Sequence, residues 1–173
     1  MNENVAEVKP EVKQPMSFGV TVSIIGLFGG LFWGAIFQLF AYFNFTEIGP
    51  TFVIRTWIKA DFVKGWVGVI LSLVCLSVIS LLFSYLYSVL FRKFNSYWLG
   101  VGYGIAIWAL IFLALRPLFP GMKTVMELSI DTIITTFCLF LLYGLFIGYS
   151  ISFEYHEREV EKKIQAENKK AQA

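Results

Sequence analysis

Four long apolar runs dominate the chain, and its polar positions fall almost wholly between or beyond them. The first run, Phe18 to Thr46, carries one carboxylate-free, cation-free stretch of side chains. Between Gly65 and Phe153 only six charged residues occur (Arg92, Lys93, Arg116, Lys123, Glu127 and Asp131), in two clusters that cut the stretch into three more runs. Hydrocarbon about 30 Å thick needs roughly 20 residues of helix to cross it. Each run meets that length. The pattern therefore predicts an all-α membrane protein with four transmembrane helices in an antiparallel bundle, at about 18–43, 62–91, 97–115 and 125–153.

The connections follow from turn and breaker residues. Residues 1–17 are polar, contain Pro10 and Pro15, and read as a disordered cytoplasmic tail. In the 44–64 loop, Gly49-Pro50 can open a short interfacial helix, with Val53, Ile54, Trp57 and Ile58 on one side and Trp57 and Trp66 as anchors. Asp61 is placed to N-cap the second span. The turn at Arg92 to Ser96 sends the third span back beside the second, and Arg116-Pro117 and Pro120-Gly121 end it. Thr124 and Glu127 have capping-box spacing, which starts the fourth span there. Beyond Phe153 the apolar stripe stops, and Glu154 with Arg158 and Glu159 with Lys163 form helical charge pairs. Residues 154–173 are thus a cytoplasmic charged helix or tail continuing the fourth span.

Composition sharpens the class. A chain of 173 residues that is 57% hydrophobic holds more apolar sequence than one soluble core can hide. The first run is about twice the length of a signal-peptide core and lacks a small-residue cleavage site, so it reads as a retained anchor. A net charge of +2 gives no reason to expect nucleic acid. Its distribution says more: nine Lys and Arg lie in the two tails and the 92–96 turn, against five in the 44–64 and 116–127 loops. The positive-inside rule then puts both termini in the cytoplasm of a bacterial cell (inner) membrane protein. Cys75 and Cys138 sit inside apolar runs and read as small hydrophobes.

Lipid gives helices no hydrophobic reason to associate, so close approach through small residues matters. Gly26, Gly30 and Gly34 form a four-residue ridge on the first span, with Gln38 next on the same line. The second carries Ser80, Ser84 and Ser88 beside Ser77, the third Gly100 and Gly104, and the fourth Gly144, Gly148 and Ser152. These ridges are read as internal packing faces, with a homo-oligomer through one of them as the other arrangement. Trp33 and Trp108 read as bulk rather than as ligand platforms.

Candidate chemistry is sparse. Val101-Gly-Tyr-Gly104 matches a potassium-filter string, but only eight residues separate Phe91 from Gly100, leaving no room for a pore helix. Asn44-Phe45-Thr46 has the form of a glycosylation triplet but lies against the membrane. His156 stands without cysteine partners, so neither metal nor cofactor is expected. One polar cluster needs an explanation. Glu127 and Asp131 are four apart at the start of the fourth span, and Arg116 closes the third at the same membrane level. An Arg116–Asp131 pair would tie the two helices together. The functional alternative is a proton or cation site, with Gln38 as its fourth member.

Three stretches carry a family likeness: Tyr42-Phe-Asn-Phe-Thr-Glu-Ile-Gly-Pro50, Leu115-Arg-Pro-Leu-Phe-Pro120 and Leu142-Tyr-Gly-Leu-Phe-Ile-Gly-Tyr-Ser-Ile-Ser-Phe-Glu-Tyr155. In them the chain resembles the YqhR family, small integral membrane proteins of spore-forming Gram-positive bacteria, over about Met16 to Glu157. The resemblance implies a four-span inner-membrane protein and no particular activity, substrate, cofactor or site residue. The function expected on these grounds is non-enzymatic: a scaffold whose charged cytoplasmic helix docks a protein partner. The alternative is a small oligomeric transporter or channel subunit using Glu127 and Asp131. No catalytic constellation for an enzyme is present in the sequence.

Overall fold

A computed structural model of the protein describes residues 16–57, 65–94, 96–114 and 125–171, and all regular structure among them is helical. In chain order the elements are α1 (Phe18–Tyr42), α2 (Thr51–Trp57), α3 (Trp66–Phe91), α4 (Tyr97–Ala109) continuing as a π-helical turn (Leu110–Ala114), a 3-10 turn (Val125–Glu127) and α5 (Ile130–Ala171). Three of these helices, α1, α3 and α5, are long and apolar enough to cross a membrane, and α4 with its π turn is a shorter apolar helix.

The end of α1 is set by local chemistry. Asn44 adopts a left-handed conformation with φ 59°, which Asn tolerates better than other residues bearing a Cβ. Phe45 N–H then donates to the Phe40 carbonyl at 2.9 Å and Asn44 N–H to the Ala41 carbonyl at 3.3 Å. The Phe40 and Phe45 rings meet edge to face, with 5.9 Å between centroids. Together these satisfy the last carbonyls and supply the apolar contact of a Schellman-type stop. The chain reverses into the 46–50 segment, where buried Thr46 donates its hydroxyl to the Ile48 carbonyl at 2.8 Å. The hydroxyl of the sequence triplet is therefore spent on the turn.

The last helix starts later than the capping-box spacing predicts. Val125–Glu127 form only a 3-10 turn, and α5 opens at Ile130 with Ser129 as its cap, the Thr132 N–H donating to Ser129 Oγ at 3.3 Å. Ser129 competes successfully because its short side chain reaches the third helical N–H directly. Thr124, the first member of the predicted box, and Asp61, the predicted cap of the second span, lie outside the described residues. The second span begins at Trp66, behind Gly65, with no side-chain cap.

Helix pairing runs head to tail. Gly26, Gly30 and Gly34 on α1 meet Ser84, Ser80 and Leu76 on α3, so one sequence rises as the other falls. Gly100 and Gly104 on α4 face Gly148 and Gly144 on α5 in the same opposed sense. α5 packs most extensively on α4 and also touches α1 and α3, whereas the backbones of α3 and α4 stay apart and meet through long side chains such as Tyr87 and Tyr103. The buried core joins Val22, Tyr87, Tyr103, Ile107, Tyr143, Ile147 and Ile151. The outside is as apolar as the inside: Leu31, Val78, Leu113 and Ile134 are exposed, while Ser72, Ser80, Ser84, Thr132 and Thr136 are buried. Small and polar residues inside with large apolar ones outside is the arrangement a lipid solvent selects.

Candidate functional site

Three polar groupings stand on this frame. The first is at the α1–α2 end, where the sequence places Gln38, Arg116, Glu127 and Asp131. Arg116 lies outside the described residues. Glu127 is exposed in the 3-10 turn and Asp131 is exposed in the first turn of α5, where a carboxylate favours the helix dipole. Gln38 is half-buried on α1 and turned toward Gly49, and its Oε1 accepts no hydrogen bond among the described residues. No hydrogen bond or ion pair joins Gln38, Glu127 and Asp131 to one another. What ties this end together is instead Thr132, whose Oγ1 accepts the Glu47 N–H at 2.9 Å and the Ser129 hydroxyl at 2.9 Å.

The second grouping is a ladder of hydroxyls through the bundle. Ser80 donates to the Gly26 carbonyl at 2.7 Å, which uses its only proton. Tyr143, 2.7 Å from Ser80 Oγ, must therefore be the donor in that contact. The order Tyr143 to Ser80 to the α1 backbone links α5, α3 and α1 in one directed chain. Tyr103 donates to the Phe83 carbonyl at 2.7 Å, joining α4 to α3. Trp108 Nε1 donates to Thr136 Oγ1 at 3.2 Å, and Thr136 donates to the Thr132 carbonyl at 2.7 Å. Tyr87 and Ser152 pair at 3.3 Å. Beside the ladder lies a cavity of about 100 Å³, with Gly30, Trp33, Gly34, Ser80, Ile107 and Tyr143 among its walls. Its walls are apolar apart from the hydroxyls already committed and the indole N–H of Trp33, which is buried with no acceptor among the described residues. Sequence reasoning missed these bonds, and the serine ridge on α3 was their one visible trace.

The third grouping gathers the start of α1, the α3–α4 turn and α5. Arg158 bonds to Glu154 Oε1 through Nε at 2.7 Å, to Thr21 Oγ1 through Nη2 at 2.8 Å and to the Met16 carbonyl through Nη1. Its guanidinium also lies 5.8 Å from the Phe18 ring centroid. The Glu154 pair is partly buried, with both side chains under a third exposed. Phe18 meets Tyr155 edge to face at 5.8 Å, and Arg92 sits over both rings, at 5.7 Å and 5.3 Å. His156 is half-buried with Nδ1 2.9 Å from the Ser152 carbonyl, an arrangement that puts the ring proton on Nδ1. This junction fixes α5 where its apolar stretch ends. Past it the helix continues to Ala171 with Val160 and Ile164 exposed among charged side chains.

The described residues hold no group of three His, Cys, Asp or Glu side chains able to bind a metal ion. The filter-like string Val101–Gly104 lies within α4, where its carbonyls serve the helix, and Gly104 lies against the Phe140–Leu141 backbone.

Residues 2–166 match the model of a family described as conserved membrane protein YqhR. A relative, the uncharacterised protein YqhR of Bacillus subtilis (strain 168), is 39% identical over 160 residues, covering 92% of this chain and 90% of its own. No solved structure matches the chain.

Proposed function

The chain belongs to the YqhR family of conserved membrane proteins, and on that premise we propose a non-enzymatic, multi-pass scaffold of the bacterial cell membrane. In this proposal it crosses four times as an antiparallel bundle, keeps both termini in the cytoplasm and docks a protein partner through the end of α5. The crossing that brings the number from three to four is α4 with its π turn, the third in chain order: 18 residues from Tyr97 to Ala114, roughly 27 Å at a helical rise. That length supports a span close to the bilayer core in thickness. The excess of Lys and Arg at the tail-bearing end supports the orientation.

One observation carries the docking function. α5 is anchored by Arg158 at the junction, yet its residues from Val160 to Asn168 are all exposed. A helix held firmly at its base and bare along its last turns is a handle. Val160 and Ile164, 56% and 53% exposed, are four apart and so share one face, flanked by Glu157, Glu161 and Lys163. An apolar strip bordered by both signs of charge fits an amphipathic helix of the partner. Asp131 and Glu127 sit exposed at the opposite end of the bundle rather than within it, which gives less support to an ion pathway.

The test is site-specific photo-crosslinking in native membranes from position 164 and, as a control, from position 162 on the opposite face. A discrete adduct from position 164 alone, lost on truncation after Glu159, is the expected result. The truncation must spare Arg158, because removing it would also release α1. Equal adducts from both positions, or an adduct that survives truncation, would remove the docking role.

A further inference from the structure

The junction contains two arginines in contact with one ring, and their hydrogen bonding differs. All three guanidinium nitrogens of Arg158 have partners, on Glu154, Thr21 and Met16. Arg92 is half-buried, lies over Phe18 and Tyr155, and has neither a hydrogen bond nor an ion pair to any described residue. A cation–π contact consumes no N–H donor, so the five N–H groups of the guanidinium have no hydrogen-bond acceptor among the described residues. Those donors sit where α3 ends and the chain turns, at the end of the bundle that carries both tails.

We propose that Arg92 is the centre of a binding site for the phosphate of an anionic phospholipid headgroup in the leaflet facing both termini. A guanidinium rim matches two phosphate oxygens at once, which an ammonium does not. Contact with Phe18 and Tyr155 restrains the Arg92 side chain, so less rotamer freedom is lost on binding. Lys93, exposed beside it, adds charge without fixed geometry. An anionic leaflet supplies the ligand at high local concentration, and each basic residue near its surface contributes about 1 kcal/mol, or about fivefold in affinity. The Glu154–Arg158 pair next to the site is internally neutral and does not compete for the anion. The site rests on the membrane placement proposed above, but not on partner docking by α5.

The experiment uses the full chain in nanodiscs of zwitterionic phosphatidylcholine with a minor fraction of phosphatidylglycerol, and reads retained lipid by native mass spectrometry. The expected result is selective retention of phosphatidylglycerol, lowered by R92Q well beyond the roughly fivefold of one surface charge, lowered less by R92K, and lowered by K93Q by no more than about fivefold. R92K keeps the charge at the junction, so it reports on the bidentate rim even where R92Q disturbs folding. Retention that is the same in wild type, R92Q and R92K overturns the site, as does an equal loss in K93Q. A parallel titration with inorganic phosphate distinguishes the sources. Displacement of the lipid at millimolar phosphate would assign the site to the free anion and overturn the headgroup assignment. A lost lipid signal with the position-164 adduct intact would remove this site and leave the docking role standing.

Discussion

The two main helix contacts of the bundle use small residues in different ways. Between α1 and α3, glycines face serines: a Cβ built on Gly26 would stand 2.7 Å from Ser84 Oγ, and on Gly30 2.6 Å from both Ser80 Cβ and the Ser77 Cα. Between α4 and α5, glycine faces glycine, and a Cβ on Gly144 would overlap the backbone nitrogen and Cα of Gly104. Both contacts bring helices close, but the first leaves side-chain atoms in the seam. Those atoms form a hydrogen bond that crosses it, Ser80 to the Gly26 carbonyl. The α4–α5 seam gives up such bonds at its centre for direct backbone packing. The α1–α3 seam is therefore adjustable at Gly26, though not at Gly30, where backbone also stands in the way; the α4–α5 seam is unforgiving at its centre, Gly104 and Gly144.

Six substitutions, one of them in a double variant, break or sharpen this contrast, each read as unfolding free energy in detergent–denaturant titrations. Gly144→Ala has the largest effect, about 3 kcal/mol, because overpacking meets backbone that cannot rotate aside. Trimming a side chain cannot rescue it. Gly26→Ala costs about 2 kcal/mol, and adding Ser84→Gly recovers about half, because part of that clash is with a removable side chain. Full additivity of the pair would erase the proposed difference between the seams. Ser80→Ala costs about 1 kcal/mol, since it strands both the Gly26 carbonyl and the Tyr143 hydroxyl; Tyr143→Phe costs less, because Ser80 keeps its acceptor. Gly102→Ala is the control. A Cβ there meets nothing within 4 Å, and stability stays within about 0.5 kcal/mol of wild type.

Sequence patterning speaks most clearly where a structure depends on length and period alone. Runs of apolar residues mark α1, α3 and α5 because crossing hydrocarbon is a requirement on length. Spacing of four marks the Gly26–Gly34 and Gly144–Gly148 ridges because it is the helical repeat. Legibility falls where a feature joins distant segments. Nothing near Ser80 announces Tyr143, 63 positions away. Likewise nothing near Phe18 announces Arg92, Tyr155 and Arg158, which only the folded bundle brings to one ring. Local signals can also mislead when two compete. Thr124 and Glu127 have the spacing of a cap, yet Ser129 takes the role and shifts the start of α5 to Ile130. The candidate cluster of Gln38, Arg116, Glu127 and Asp131 rests on membrane level, which does not by itself fix lateral position around a bundle, and its Arg116 lies outside the described residues.

The continuity of α5 has a mechanical consequence. At 1.5 Å per residue its 42 residues form a rod roughly 63 Å long, of which about 27 Å lies past Phe153. The same rod touches α1, α3 and α4. No proline interrupts it, so there is no natural joint at which a twist applied to the tip would be absorbed. A load gripping Ile164 therefore acts through a lever whose other end carries Tyr143 and Thr132, and whose fulcrum is Arg158.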